Sequence, residues 1–121
     1  MKYLYIAGTV LFTVYGQLIM KWRISNHGPL PDHFGDKLFF LLQLFTDVYI
    51  LSGFMAAFVA SLFWMAAMTK ADLSFAYPIV TAGLTLLTTL MAITLLGETL
   101  SLPKALGILL IISGVVVMQY S

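Results

Sequence analysis

The stretch VYILSGFMAAFVASLFWMAAM, residues 48–68, decides the fold class. It carries no charge over a length close to the ~20 apolar residues that a helix needs to cross about 30 Å of hydrocarbon. Three further stretches read the same way: residues 3–22, residues 73–96, interrupted only by Pro78, and residues 102–120. Backbone groups in lipid must be satisfied within the chain, so apolar stretches of this length are helices. Each is too long for a barrel strand, and none sustains period-two alternation. The fold expected is an all-α membrane protein: one domain over residues 1–121 with four transmembrane helices.

Composition points the same way. The chain has 121 residues, of which 61% are hydrophobic and 9% charged. A soluble domain carries roughly 25% charged residues to solvate its surface. The formal charge of +1 supplies no basic stripe, so nucleic acid is excluded as a partner. No cysteine is present, which removes disulfides and thiolate metal sites. The first run is too long for the apolar region of a signal peptide and lacks a small-residue cleavage site, so it is expected to remain as a span. No acidic residue falls inside the four spans, and His27 and His33 lie in one polar loop without metal-ligand spacing. No enzyme activity, cofactor or metal is expected.

The connections differ in kind. TKAD (residues 69–72) and GETLS (97–101) are tight turns that force antiparallel neighbours. The loop 23–47 is long, and its segment 36–45 is apolar but too short to span. It reads either as an interfacial helix at the headgroups or as an early start of the second span. Lys2 and Lys70 fall on one side of the membrane, and Lys21, Arg23, Lys37 and Lys104 on the other. The positive-inside rule then favours loops one and three in the cytoplasm, by a small margin.

Two spans carry polar stripes. In the first, Thr9, Thr13, Gln17 and Lys21 step by four, with Gly16 beside them. In the third, Tyr77, Thr81, Thr85 and Thr88 do so by four, four and three. Membrane threonines commonly bond their own backbone or a neighbouring helix, so the threonines alone do not make a site. Gln17 needs partners in lipid. Lys21 near a helix end reads as a snorkelling anchor, or, since Trp22 and Arg23 already anchor that end, as a cation turned inward. In the last span Gly107 and Gly114 lie two turns apart, with Leu110 and Ile111 between them. They form either a dimer seam or a packing surface within the protomer. Pro78 removes one helical hydrogen bond near the start of the third span. Four helices enclose a pathway most economically as a dimer.

GQLIMKW closing the first span, DLSFAYPIVTAG opening the third and LLGETLSLPKALGILLIISGVVVM near the end together resemble the small multidrug resistance branch of the drug/metabolite transporter superfamily. The resemblance covers nearly the whole chain outside loop one. It implies a dimer through the last span, along Gly107, Leu110, Ile111 and Gly114. The drug exporters of that family carry a glutamate where this chain has Thr13, and a tryptophan where it has Val80. Both the proton-binding carboxylate and the aromatic wall for cationic drugs are therefore missing.

A second branch is more similar: the paired small subunits that flip aminoarabinose linked to undecaprenyl phosphate. The likeness rests on Gly16, Gln17 and Lys21, and on Ala76, Tyr77 and Pro78. It implies a polyprenyl-phosphate monosaccharide as substrate, the bacterial inner membrane as location, and a homodimer or a heterodimer with a similar subunit. On this reading Lys21 faces the phosphate, and Gln17, Thr13, Thr9 and Thr81 line the sugar's route. Tyr77 and Trp64 stack on the sugar, and Arg23 captures the phosphate at the surface. The alternatives are a cation or polyamine exporter, an accessory subunit of a glycosyltransferase system, and a small-solute channel.

Overall fold

In the computed structural model, which describes residues 2–120, the chain forms five helices. They are α1 (Lys2–His27), α2 (Phe34–Leu44), α3 (Val48–Met68), α4 (Leu73–Leu95) and α5 (Leu102–Met118). Three of them, α1, α3 and α4, are long and apolar enough to cross a membrane. The apolar α5 has 17 residues and is shorter.

Each boundary has a local cause. Glycine at positive φ closes a helix without a Cβ penalty, and Gly28 (φ +90°) ends α1 in this way. Gly97 (φ +71°) turns the chain between α4 and α5. Asp47 caps α3, its carboxylate accepting from the Tyr49 N–H at 2.8 Å. Ser101 caps α5 by accepting from the Lys104 N–H at 3.3 Å, with Pro103 in the first turn. Between α2 and α3 lies a short break at Phe45–Asp47, so the apolar segment within loop one is a separate helix and not an early start of α3.

The first helix runs beyond the expected end at residue 22 to His27. Hydropathy fades at Trp22, but the backbone ladder continues because Arg23 and His27, one turn apart, both reach Asp47.

α1 is the centre of the bundle. It packs along α3 and α4, which barely touch each other, while α5 rests on α4. Contacts fix the directions. Gly8 meets Phe63 and Arg23 meets Asp47, so α1 and α3 are antiparallel. Tyr3 meets Phe75 and Val10 meets Gly83, so α1 and α4 are parallel. One end of the bundle therefore holds Lys2, Lys70 and the start of α4; the other holds Lys21, Asp47 and the start of α5.

Small residues bring these helices together. The buried residues include Gly8, Gly16, Gly53, Ala56, Ala60, Ala67 and Ala76, beside a few larger ones, Ile6, Val14, Ile50 and Val80. Lipid tails are as apolar as leucine, so helices in a membrane gain from close backbone approach rather than from hiding large side chains. At Gly8 a Cβ would stand 2.5 Å from the Phe63 ring, and the closest approach to backbone is at Gly16, where a Cβ would stand 2.9 Å from the Gly53 carbonyl oxygen. The large apolar side chains, such as Leu11, Met55, Phe58 and Leu90, point outward.

Candidate functional site

The polar stripe of α1 changes surroundings along its length. Four residues at about 100° each fall ~40° beyond a full turn, so the stripe winds slowly around the helix. Thr9 is 6% exposed, and its hydroxyl donates to the Tyr5 carbonyl at 2.9 Å. Its hydrogen-bonding capacity is thus partly used within its own helix. Thr13 is half-buried, and Gln17 and Lys21 are exposed. Lys21 forms no ion pair among the described residues.

The nearest basic neighbour behaves differently. The Arg23 guanidinium holds Asp47 through Nε at 2.9 Å and Nη2 at 2.8 Å. His27 Nε2 reaches the same Asp47 oxygen at 2.8 Å. The Arg23 guanidinium also lies 5.2 Å from the Trp22 ring centroid and 4.8 Å from that of Tyr49. The Asp47 side chain is only 6% exposed. The His27 hydrogen bond above all, then Arg23 and the Tyr49 N–H, lower its pKa to about 2 against the opposing effect of burial. Arg23, expected to capture phosphate at the membrane surface, would have to leave Asp47 to do so. Sequence reasoning missed this cluster, whose signal was the four-residue spacing of Arg23 and His27 and an aspartate directly before the uncharged span.

Tyr77 and Trp64 do come together. Their rings meet edge to face with centroids 6.1 Å apart. They wall a cleft of about 710 Å³ with Leu73, Ser74 and Pro78. Pro78 lacks the N–H that would bond the Ser74 carbonyl, which leaves that oxygen without its usual helical partner beside the cleft. Tyr77 is 59% exposed, and Thr81, one turn further, is exposed as well. Thr85 donates to the Thr81 carbonyl at 2.8 Å, whereas the Thr88 hydroxyl is buried without a partner.

This aromatic cleft does not adjoin Lys21. Tyr77 is level with the first turns of α1, because Tyr3 packs on Phe75 and Val10 on Gly83. At 1.5 Å per residue, roughly 25 Å of helix separates that level from Lys21. The two halves of the expected site thus stand at opposite ends of the protomer.

On α5, Leu110 is 73% exposed and Ile111 40%. A Cβ added at Gly107 or Gly114 would meet nothing within 4 Å. This face is uncovered in the protomer.

Apolar helices of spanning length, joined by small-residue contacts, define a multi-pass membrane protein. No protein-family model and no solved structure matches the chain. It is 34% identical over 115 residues to the "probable 4-amino-4-deoxy-L-arabinose-phosphoundecaprenol flippase subunit ArnF" of Aeromonas hydrophila, covering 94% of this chain and 76% of that one. The protein of the same name from Aeromonas salmonicida is 30% identical over a stretch of the same length. Multidrug resistance protein EbrB of Bacillus atrophaeus is 35% identical over 89 residues, 73% of this chain and 76% of that one. The chain belongs to the small multidrug resistance-like proteins of the drug/metabolite transporter superfamily.

Proposed function

We propose that this protein flips a polyprenyl-phosphate-linked monosaccharide across the bacterial inner membrane, for modification of surface glycan or lipopolysaccharide. The observation that carries the reading is Lys21: an ammonium on the polar stripe of α1, without an ion pair among the described residues, in a chain similar to a flippase subunit over 94% of its length. Such a substrate has one phosphodiester charge, a polar sugar and a long apolar tail. Only the headgroup needs a polar route, since the tail stays in lipid. A bare phosphate in hydrocarbon is very costly, and a charge-assisted pair with Lys21 offsets much of that cost. Gln17 and Thr13 continue the route inward from Lys21. α5 serves as the fourth span, and its open face of Gly107, Leu110, Ile111 and Gly114 seats a second copy or a similar small subunit. Alternating access then comes from rocking of the two protomers.

The likeness to EbrB favours a second reading, export of a cation or polyamine. Against it, α1, α3, α4 and α5 contain no acidic residue, so neither a cation nor a coupling proton finds a carboxylate within them.

The test is reconstitution into liposomes with a polyprenyl-phosphate hexose, measuring headgroup that becomes accessible from outside. Wild type should flip, and Lys21→Ala should lose about tenfold or more, the worth of one charge-assisted hydrogen bond. Lys21→Ala flipping at the wild-type rate would refute the role of Lys21. Extrusion of quaternary amines by cells making the protein would favour the exporter. A folded wild type that flips only when a second small subunit is added would make the working unit a heterodimer.

A further inference from the structure

A cleft of about 390 Å³ opens at the end of the bundle opposite Lys21, lined by Lys2, Thr69, Lys70, Asp72 and Phe75 among others. The two lysines reach it from different elements, Lys2 from the start of α1 and Lys70 from the turn between α3 and α4. The Lys2 ammonium lies 4.3 Å from the Phe75 ring centroid, a cation–π contact that holds it over the cleft. Neither lysine forms an ion pair among the described residues. Asp72 also lines the cleft, and its side chain makes no capping bond to α4. Two ammonium groups against one carboxylate leave the cleft positive, and the amino ends of α1 and α4 add partial positive charge that the carboxyl end of α3 at Met68 and Thr69 offsets in part.

We propose that this cleft is a second anion site, which binds the phosphate of the lipid-linked headgroup at the membrane face opposite Lys21. The inference rests on the flippase reading above and deepens it. Lys2 and Lys21 lie on one helix, about 28 Å apart at 1.5 Å per residue. That matches the ~30 Å thickness of the hydrocarbon layer. A headgroup that crosses must be received at both surfaces, and α1 sets a cationic group at each. The cleft also explains the position of the aromatic pair. Leu73 and Ser74 line the Tyr77–Trp64 cleft, while Asp72 and Phe75 line this one, so the two share the first turn of α4. Phosphate on Lys2 and Lys70 sets the sugar beside Tyr77 and Trp64, roughly 25 Å along the bundle from Lys21.

Farnesyl phosphate, titrated into the purified protein in a zwitterionic detergent and counted by native mass spectrometry, tests this. Wild type should bind two per protomer, and Lys21→Gln and the double variant Lys2→Gln/Lys70→Gln one each. Binding at the Lys2 end should weaken about tenfold or more in the double variant, and Asp72→Asn should tighten it, because one like charge is removed. Helicity and elution volume report that each variant is folded. Wild-type stoichiometry in the double variant would overturn the site, whatever the transport assay shows. Displacement by phosphatidylglycerol as effective as by farnesyl phosphate would make the cleft a general lipid anchor and overturn it too. No flipping by wild type, alone or with a second small subunit, together with binding lost in the double variant, would instead refute the flippase reading and support the anion site.

Discussion

At the scale of single residues, Asp47 joins two helices. It caps α3 through the Tyr49 N–H while Arg23 and His27 from α1 grip its other oxygen. Its pKa of about 2 lies below the ordinary 3.8, so the folded state favours the ionised form. The sign follows from linkage: the contribution is present above the ordinary value and is lost as pH falls through the lowered one. Asp47→Asn should lower the thermal midpoint at neutral pH, and the gap to wild type should shrink as pH falls toward 2. Melting of both proteins across that range in detergent checks it; a constant gap would mean that the carboxylate's charge is irrelevant. The register of Gln17 and Lys21 was legible in the sequence because four-residue spacing is visible without a structure. The Arg23–His27–Asp47 cluster was not. Hydropathy marks where an apolar stretch ends, and the apolar stretch of α1 ends before the helix does.

Among the elements, the α1–α3 pair depends on one crossing. Gly16 lets α1 approach the Gly53 carbonyl closely, and Gly53 in turn leaves room for Ile19 and Met20. Backbone cannot yield as a flexible side chain can. Gly16→Val should therefore cost about 1–3 kcal/mol, the usual range for overpacking. Gly107→Ala and Gly114→Ala should not destabilise the protomer and should raise its stability by up to about 1 kcal/mol each, since both lie inside α5 with open space around them. Unfolding of the three variants in detergent, at concentrations that keep the protein monomeric, separates these outcomes. An unaffected Gly16→Val would show that the crossing is looser than described. The sequence placed Gly16 beside the polar stripe but did not reveal its partner, because the facing glycine lies in another helix with nothing in the local pattern to link them. It also left residues 36–45 open between two readings. The chain breaks there because Asp47 starts a new helix with its own cap.

At the scale of the whole molecule, the protomer is loosely closed. α1 holds α3 and α4 together, but α5 has no buried residue and leans on α4 alone among its main contacts. The three long spans were legible from hydropathy, whereas the arrangement around α1 was not, since uniform apolarity gives each helix no preferred side. The shortness of α5 has a physical consequence for the surrounding lipid. Its 17 residues reach about 26 Å, less than the ~30 Å hydrocarbon layer. A helix of that length crosses most simply where the bilayer thins around it, at a cost of fractions of a kcal/mol per Å of hydrophobic mismatch. Shorter acyl chains remove that cost, so the proposed flipping should be faster in thin bilayers than in thick ones of the same headgroup. Rates in liposomes of graded chain length decide this, and a rate independent of thickness would mean that α5 does not set the local membrane depth. A dimer seamed through two such helices would hold a dimple in the membrane at its own centre, shortening the distance over which a charged headgroup must be sheltered.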